Sequence, residues 1–391
     1  MPLCVYDKLT PQDKLFGNCG LGILRPSKMT TYEELNGEYS ISIEYPITKD
    51  DTMWMYLTPY NIVKNSEGQL FFIISCTSSM SNGKAVMQAK GWHISYYLAD
   101  KNLAYTDYRD ATGQIALNEI KKYTEYNWDY NGDGSHDSRL VDYDFNFSSD
   151  IEDIHHVEYE KMSPLYAILG APNSVVNLFG GEIHRDNFHI SVNKRKEGSR
   201  DNAFSIVHGF NMLEIQERVS VEDMITGVWG SDNYSNGFGE SISNLKIAPH
   251  QVLKHVKFSY DGESNLAQDT GDYFNSHTDP TVSYQVRFKD LRHIPKYKEW
   301  AALQSYNIAD SGQIKSALIG VDVQQKIISR TLNDITKESE SITLGNFMPN
   351  LYRTGRYSSS IASHDASSRR LDALEKLRLH TMFTYDESGD S

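Results

Sequence analysis

Residues 38–45 alternate strictly, with Tyr39, Ile41, Ile43 and Tyr45 on one side and Glu38, Ser40, Ser42 and Glu44 on the other. A period of two sends alternate side chains to opposite faces of a pleated strand, so the segment predicts a half-buried strand, entered from a turn at Asn36 and Gly37. Residues 70–76 form a continuous apolar run after Glu67 and Gly68, and residues 85–92 follow a second turn at Asn82 and Gly83; together these predict a meander. Further on, Phe188, Ile190 and Val192 alternate, as do Phe204 and Ile206, and strand character continues to residues 224–229. Val282, Tyr284, Val286 and Phe288, set against Ser283, Gln285, Arg287 and Lys289, predict another strand, with two more near 318–323 and 326–331.

Helical spacing is confined to short windows. Ala116, Leu117, Ile120 and Tyr123, with Thr112 as N-cap, predict a helix over 115–123. Ser163 and Pro164 open a second over 165–169, which Gly170 and Pro172 stop. Between them the acidic, aromatic stretch 129–153 reads as loops and short strands of a small inserted α/β unit. Residues 230–280, rich in Gly, Ser, Asn and Asp, read as a long insertion loop. A short helix is expected over 296–304, and Leu371, Leu374 and Leu377 predict one C-terminal helix, too short for a heptad assignment.

Composition sharpens the class. A chain of 391 residues has room for two to four domains, and 39% hydrophobic with 23% charged residues is near the globular average. Twenty-five Tyr, 15 Phe and 5 Trp favour pleated surfaces over a helical bundle. No apolar run approaches the roughly 20 residues that cross a bilayer, and the N-terminus lacks a basic region followed by an apolar core, so synthesis in the cytosol without a membrane span is expected. Cys4, Cys19 and Cys76 have no C-x-x-C spacing and read as buried thiols rather than a disulfide framework or a metal site. The net charge of −14 disfavours free association with nucleic acid, because affinity for phosphate comes from Lys and Arg displacing counterions. In an oligomer lining a conduit, the same charge would keep a passing polyanion from adhering.

The easily read catalytic signatures are missing: there is no His-Glu-x-x-His, no Gly-x-Ser-x-Gly elbow and no phosphate-binding loop. Asp129, Asn131, Asp133 and Gly134 copy the opening of a calcium loop, but Leu140 stands where the bidentate acid belongs, which leaves them weak metal candidates. His155 and His156 are adjacent, so on a strand they face opposite sides and cannot share an ion. His184, His189 and His208 lie on neighbouring expected strands. No catalytic residue and no cofactor is assigned.

One stretch stands out for its likeness to a known family. Gly180, Gly181 and Glu182 form a Gly-Gly-Glu turn, Asp186 and Asn187 start a strand, and Gly209 and Asn211 open a Gly-x-Asn-Leu-like segment that runs to Leu213. Upstream, Asn36, Gly37 and Glu38 belong to a Leu-Asn-Gly-Glu-Tyr strand that ends in Tyr45 and Pro46. In this pattern the chain resembles the prophage tail-endopeptidase family, the tail-associated hub proteins of phages that infect Gram-positive bacteria. It departs from that family at 310–314, where a Gly-Asp-x-Val is usual.

The resemblance implies an α+β, β-rich fold with two β-barrel-like tube domains and smaller α/β insertions. The first tube domain would span 1–100, the inserted domain 101–172, the second tube domain 173–347 with an insertion at about 230–280, and a helical tail 348–391. It implies a structural baseplate hub: a homotrimer at the distal tail tip of the virion that closes the tube and opens for DNA ejection. Its partners would be a hexameric distal tail protein, the tape-measure protein, receptor-binding proteins and passing DNA, the last without specific binding. No enzymatic role is expected, since the catalytic domain of longer members would begin where this chain stops. The alternatives are a peptidoglycan-degrading hydrolase using an unmarked acid pair, and a carbohydrate-binding receptor module with Trp54, Tyr56, Trp92, Tyr96 and Tyr97 as platforms.

Overall fold

Strand period dominates the N-terminal part. The computed structural model describes residues 1–125, 143–171, 173–221, 224–232, 238–240, 250–257, 266–288 and 306–345. The chain opens with β1 (Cys4–Tyr6), β2 (Gly22–Ile23), β3 (Lys28–Glu34), β4 (Tyr39–Pro46), β5 (Ile62–Lys64), β6 (Leu70–Ser81) and β7 (Lys84–His93). The alternating face of β4, Tyr39, Ile41, Ile43 and Tyr45, is buried as its pattern requires. The apolar run in β6 is buried only through Ile73; beyond a bulge between Ile73 and Ser75 the strand continues, exposed, to Ser81. Ser81 pairs with Lys84, so Asn82 and Gly83, at φ 51° and 75°, make a two-residue turn at the tip of a long arm whose β7 side stays bonded to β4 as far as Ala85.

The middle of the chain mixes elements. In order come β8 (Asn102–Ala111), α1 (Gly113–Tyr123), β9 (Thr124–Glu125), β10 (Asn146–Ser148), β11 (His155–Met162), α2 (Val175–Phe179), β12 (Glu182–Asp186) and β13 (His189–Asn193). Thr112 Oγ1 accepts from Ile115 N–H and caps α1, as read from the sequence. Ser163 Oγ likewise accepts from Tyr166 N–H (3.2 Å) at the head of a helical turn over Tyr166–Gly170. Ala116, Leu117 and Ile120 of α1, Val157 and Tyr159 of β11, and Ile190 and Val192 of β13 pack into one core that also takes Cys4, Tyr6, Leu70 and Phe72 from the N-terminal strands.

The remaining strands are β14 (Phe204–Val207), β15 (Met212–Ser220), β16 (Gly227–Ser231), β17 (Phe238–Glu240), β18 (Leu253–Lys257), then helix α3 (Leu266–His277), β19 (Thr281–Phe288), β20 (Ser311–Ser316), β21 (Val321–Asn333) and β22 (Glu338–Gly345). The large sheet has 13 strands in the order β15-β19-β22-β21-β3-β4-β7-β6-β5-β1-β2, with β14 and β20 branching from β21. β21 is its spine: one edge carries β20 along 321–326 and β3 along 329–333, and the other carries β22. Residues nearly 300 apart in sequence are thus hydrogen-bonded neighbours.

The β-rich α+β class expected from the sequence holds: one large sheet draws strands from both halves of the chain, with no closed barrel among the described residues. Three expectations need correction. Residues 230–280 are not simply a polar loop: β16, β17 and β18 form a small sheet that buries Val228 and Val256 against Tyr273 and Phe274 of α3. The polar composition hid four well-spaced apolar anchors. Leu318 and Ile319 stand exposed in the turn between β20 and β21 and not in a strand, with Gly320 at φ 71° closing that turn. Cys4 and Cys19 form a disulfide, because the chain folds back along β1 with Leu21 N–H donating to Val5 O (2.8 Å) and sets the two Cα atoms 4.9 Å apart; only Cys76 is free. The expected helices over 296–304 and around Leu371, and the calcium-loop candidates Asp129, Asn131 and Asp133, lie outside the described residues.

Candidate functional site

The sequence motifs from distant parts of the chain meet at one place, a buried polar seam where β3, β12 and β21 join. Its first part is the turn between β3 and β4. Asn36, at φ 52°, donates through Nδ2 to Gly181 O (2.9 Å) and accepts Ile183 N–H on Oδ1 (2.7 Å). One side-chain amide therefore completes the backbone bonding of a hairpin nearly 150 residues away. The two glycines it reaches have different tasks. Gly180 takes the left-handed conformation that ends α2 (φ 68°). Gly181 packs so closely that a Cβ would sit 2.5 Å from Val192 Cγ1 and 2.9 Å from Ile151 Cδ1.

Charges fill the seam. Arg330 on β21 makes a two-pronged pair with Glu67 (2.9 and 2.7 Å) and approaches Glu33 on β3 at 3.5 Å. Lys196 reaches Glu33 from the other side (3.3 Å). Burial alone would push the Glu33 carboxyl up, but Lys196, Arg330 and Arg185 outweigh it and hold it below the usual carboxylate range. Burial alone would lower the Arg330 guanidinium, and Glu67 and Glu33 together raise it. Glu182, next in the Gly-Gly-Glu motif, accepts Lys196 N–H (2.8 Å) and the Lys326 ammonium, so the motif acid anchors β12 to β21.

Aromatic rings close one side. The Arg185 guanidinium donates to Gly37 O (2.9 Å) and lies 5.2 Å from the Tyr39 ring centre and 5.8 Å from that of Tyr96. His93 stacks on Tyr39 at 4.4 Å and holds Ser95 through Nδ1 (2.9 Å) and Gln69 through Nε2 (3.2 Å). Burial, with Arg185 beside it, pushes the His93 pKa far below the ordinary histidine value. Gln69 also donates to Asp186 (2.9 Å), while Asn187 accepts Leu70 N–H (2.8 Å) and donates to Gly68 O (3.3 Å). Deeper in, Asp334 accepts from Thr31 Oγ1 (2.6 Å) and Ser66 Oγ (2.8 Å), and its burial raises the carboxyl.

Asn36, Gly37, Gly181, Glu182, Asp186 and Asn187 therefore share one site. The other motif residues do not. Glu38 caps only Ser40 (2.6 Å), and Tyr45 donates to Asp51 (2.6 Å) at the far end of β4, where Pro46 ends the strand. Asn211 holds its own turn, accepting Val207 N–H (2.8 Å) and donating to Ser205 O (2.9 Å), with Gly209 at φ 82° within it. Sequence reasoning missed Glu33, Glu67, Arg185, Lys196 and Arg330. Glu33, Arg185 and Arg330 are charges inside strands, while Glu67 sits in the turn before β6 and Lys196 just beyond β13, where charge is ordinary. In the departure at 310–314, Asp310 is fully buried and accepts Arg200 N–H (2.6 Å) and its guanidinium (3.0 Å).

The candidate chemistry disperses. His155 packs edge-on against Phe179 whereas His156 pairs with Asp107 (2.8 Å), so the two face different ways. His184 and His189 belong to one hairpin and His208 follows β14; among the described residues no three His, Cys, Asp or Glu gather as metal ligands would. Besides the buried His93–Ser95 pair, whose imidazole is held by the Gln69 amide, two more Ser–His contacts occur among the described residues, Ser148 with His189 (3.0 Å) and Ser231 with His255 (2.8 Å). Among the described residues no carboxylate orients any of these imidazoles, as an activated nucleophile requires. Of the aromatic platforms, Trp92 and Tyr96 stack on each other, Tyr97 packs on Phe72 and Tyr143, Trp54 packs against the core beneath β4, and Tyr56 is partly exposed.

Outside the seam the molecule offers edges. β15 ends the large sheet with one side unpaired among the described residues, and along it Leu213, Val219 and several charged side chains face solvent. The arm of β6 and β7 carries Met80 exposed near its tip, with β7 bonded to β4 as far as Ala85.

The chain can now be set beside known proteins. A family model described as prophage endopeptidase tail matches residues 251–354. The prophage tail protein gp18 from Listeria monocytogenes EGD-e superposes with a TM-score of 0.59 at 15% identity, covering 89% of this chain and 95% of that one. The 43 kDa tail protein of prophage MuSo2 from Shewanella oneidensis gives 0.59 at 12% identity over 90% and 99%, and the tail protein from Neisseria meningitidis MC58 gives 0.60 at 10% identity over the same shares. No curated protein matches the sequence. These findings bear out the resemblance to prophage tail proteins, with the fold shared over about nine-tenths of the chain.

Proposed function

We propose that the chain is a structural hub of a phage tail baseplate, a homotrimer that closes the distal end of the tail tube in the virion and opens for DNA ejection. The observation that carries this reading is the fold, shared over about nine-tenths of the chain with three prophage tail proteins. In this reading the hub meets the hexameric distal tail protein above it, holds the tape-measure protein, seats receptor-binding proteins and lets DNA pass without binding it specifically. The division into tube domains at 1–100 and 173–347, with the inserted unit 101–172 and the tail 348–391, belongs to the same reading. So does the role of the shared motif residues as the clamp between them.

Physical argument supports it at two points. A threefold object meets a sixfold ring only if each chain presents two similar surfaces, and the large sheet draws strands from both halves of the chain. The bare edge of β15, long and partly apolar, is the kind of edge that proteins cover by assembly. The hub acts as a machine part and not as an enzyme. No helix among the described residues is long and apolar enough to cross a membrane. Light scattering on the purified chain tests the reading: a mass of three 44.5 kDa subunits is expected. A monomer at every concentration up to about 100 μM overturns it, since a standard-size interface holds well below that. Clearing of purified cell walls that disappears on mutating one acid pair would point to the hydrolase instead.

A further inference from the structure

We infer that the cavity beside the bulge of β6 is a binding site for a single neutral hexopyranose ring, recognised by stacking on Trp92 and by hydroxyl donation to Asp100. The cavity has a volume of about 300 Å³ and is lined by Tyr60, Ile73, Ile74, Trp92, Tyr96 and Asp100 among others. That is the lower end of the range for small-molecule sites, room for one ring and not for a chain.

Backbone irregularity shapes it on two sides. The bulge that interrupts β6 between Ile73 and Ser75 turns Ile74 out of the sheet, where it is 42% exposed. Opposite, Tyr60 holds φ at 70°, a conformation that costs a bulky residue on the order of 1–2 kcal/mol, and it is kept there by its N–H donating to Ile73 O (2.7 Å). The outcome is a tyrosine ring standing 55% exposed over an apolar floor.

The aromatic wall is rigid before any ligand arrives. Trp92 and Tyr96 stack with centres 5.0 Å apart and planes at 23°. Behind them Arg185 lies against Tyr96, and the Tyr96 hydroxyl donates to Gly37 O (3.4 Å), so the polar seam fixes the wall from the rear. A preformed wall spares a ligand the cost of ordering side chains.

The lining also selects the chemistry. Asp100 supplies an acceptor at the exposed rim of a largely apolar hollow, where partial burial pushes its carboxyl up and Lys101 pulls it partly back. A sugar offers an aliphatic C–H face to the indole and hydroxyl donors to the carboxylate, matching this one-acceptor, one-plane arrangement. A quaternary ammonium ion fits less well, because cation recognition wants rings enclosing it from several sides, whereas Trp92 and Tyr96 are nearly parallel and Lys101 already stands beside the acid. This inference stands apart from the hub reading and does not depend on the oligomeric state.

Ligand-observed saturation-transfer NMR on the full chain tests it, using the methyl glycosides of glucose, galactose, N-acetylglucosamine and rhamnose, with choline chloride as the cationic probe. At least one glycoside should bind saturably with Kd of about 1–10 mM, the affinity expected of one ring in one small site. Tyr60→Ala and Asp100→Asn should each weaken that binding about tenfold, as loss of one stacking or charge-assisted contact would, while the thermal midpoint stays unchanged. Absence of glycoside binding, binding that both variants retain, or saturable binding of choline in place of sugar would each overturn the proposal.

Discussion

Two Asn-Gly turns in this chain hold their asparagines in the same left-handed conformation and in opposite surroundings. Asn36 and Asn82 both sit near φ 51–52°, each followed by Gly at the head of a strand. Asn36 is locked by two side-chain hydrogen bonds to a hairpin that the sequence places far away. Asn82 lies at the exposed tip of the β6–β7 arm, just beyond the point where β7 leaves β4 at Ala85. The same dipeptide thus serves once as a clamp and once only as a bend. Local turn chemistry settles neither role; what lies opposite the amide does.

Charge deletion should separate the two regions most widely. Arg330→Met removes the cation that Glu33 and Glu67 share in the seam, and breaking a buried pair from one side costs roughly 3–5 kcal/mol. Lys84→Met, exposed beside the tip of the arm where it pairs with Ser81, should stay within about 0.5 kcal/mol. Urea denaturation compares them directly, and equal losses would remove the distinction between clamp and arm.

The turns themselves come next. Asn→Gly keeps the left-handed backbone comfortable at both sites, so only the side-chain bonds differ. Asn36→Gly should cost about 1–3 kcal/mol, because Gly181 O and Ile183 N–H lose their partner in a half-buried place, whereas Asn82→Gly should be close to neutral.

The strands of this fold could be read almost directly, because a period of two survives in β4, β13 and β19 and each buries the expected face. The capped helix α1 was equally plain. Sheet order was not, since nothing in residues 329–333 announces that β21 will lie beside β3. Pairing across such a separation depends on complementary surfaces that exist only once both halves fold. The seam was legible in half. Asn36, Gly181, Glu182 and Asn187 were flagged as a motif, but the ions that bind them, Glu33, Arg185 and Arg330, looked like ordinary solvent-facing charges of amphipathic strands. The small sheet around α3 was missed because Val228, Val256, Tyr273 and Phe274 are spread through a polar stretch in which no window of constant period contains them all.

Acid should weaken the seam sooner than the arm. His93 is held neutral by burial and by Arg185, and His184 in the same region is lowered by burial and Lys196. The unfolded chain takes up protons at these sites below about pH 6.5 while the folded chain resists. Because the folded values are depressed, the stability they contribute is fully present above that pH and is lost as pH falls toward the folded values. The slope is at most about 1.4 kcal/mol per pH unit for each histidine. Asp334 has the opposite sign: its raised carboxyl favours the folded state at low pH, which offsets part of the loss. His93→Gln should flatten the decline in thermal midpoint between pH 7 and 5; an unchanged decline would place the sensitivity elsewhere.

The smallest effect is chemical and slow. Deamidation of Asn-Gly needs the glycine nitrogen to attack the asparagine side-chain carbonyl, which expels ammonia and leaves a succinimide that water then opens to aspartate or isoaspartate. At Asn36 the side-chain amide is committed to Gly181 and Ile183, and Gly37 N–H donates to Glu34 O (3.1 Å), so both reacting groups are tied. At the exposed tip, Asn82 and Gly83 have open space around them, nothing lying within 4 Å of where a Gly83 Cβ would be. Peptide mapping by mass spectrometry after prolonged incubation at mildly alkaline pH should find the one-dalton gain at Asn82 well before Asn36. Loss of the seam through Arg330→Met should bring the two rates together. If Asn36 converts as fast as Asn82 in the unaltered protein, the amide is not held where the geometry puts it, and the clamp must be sought in the ion pairs alone.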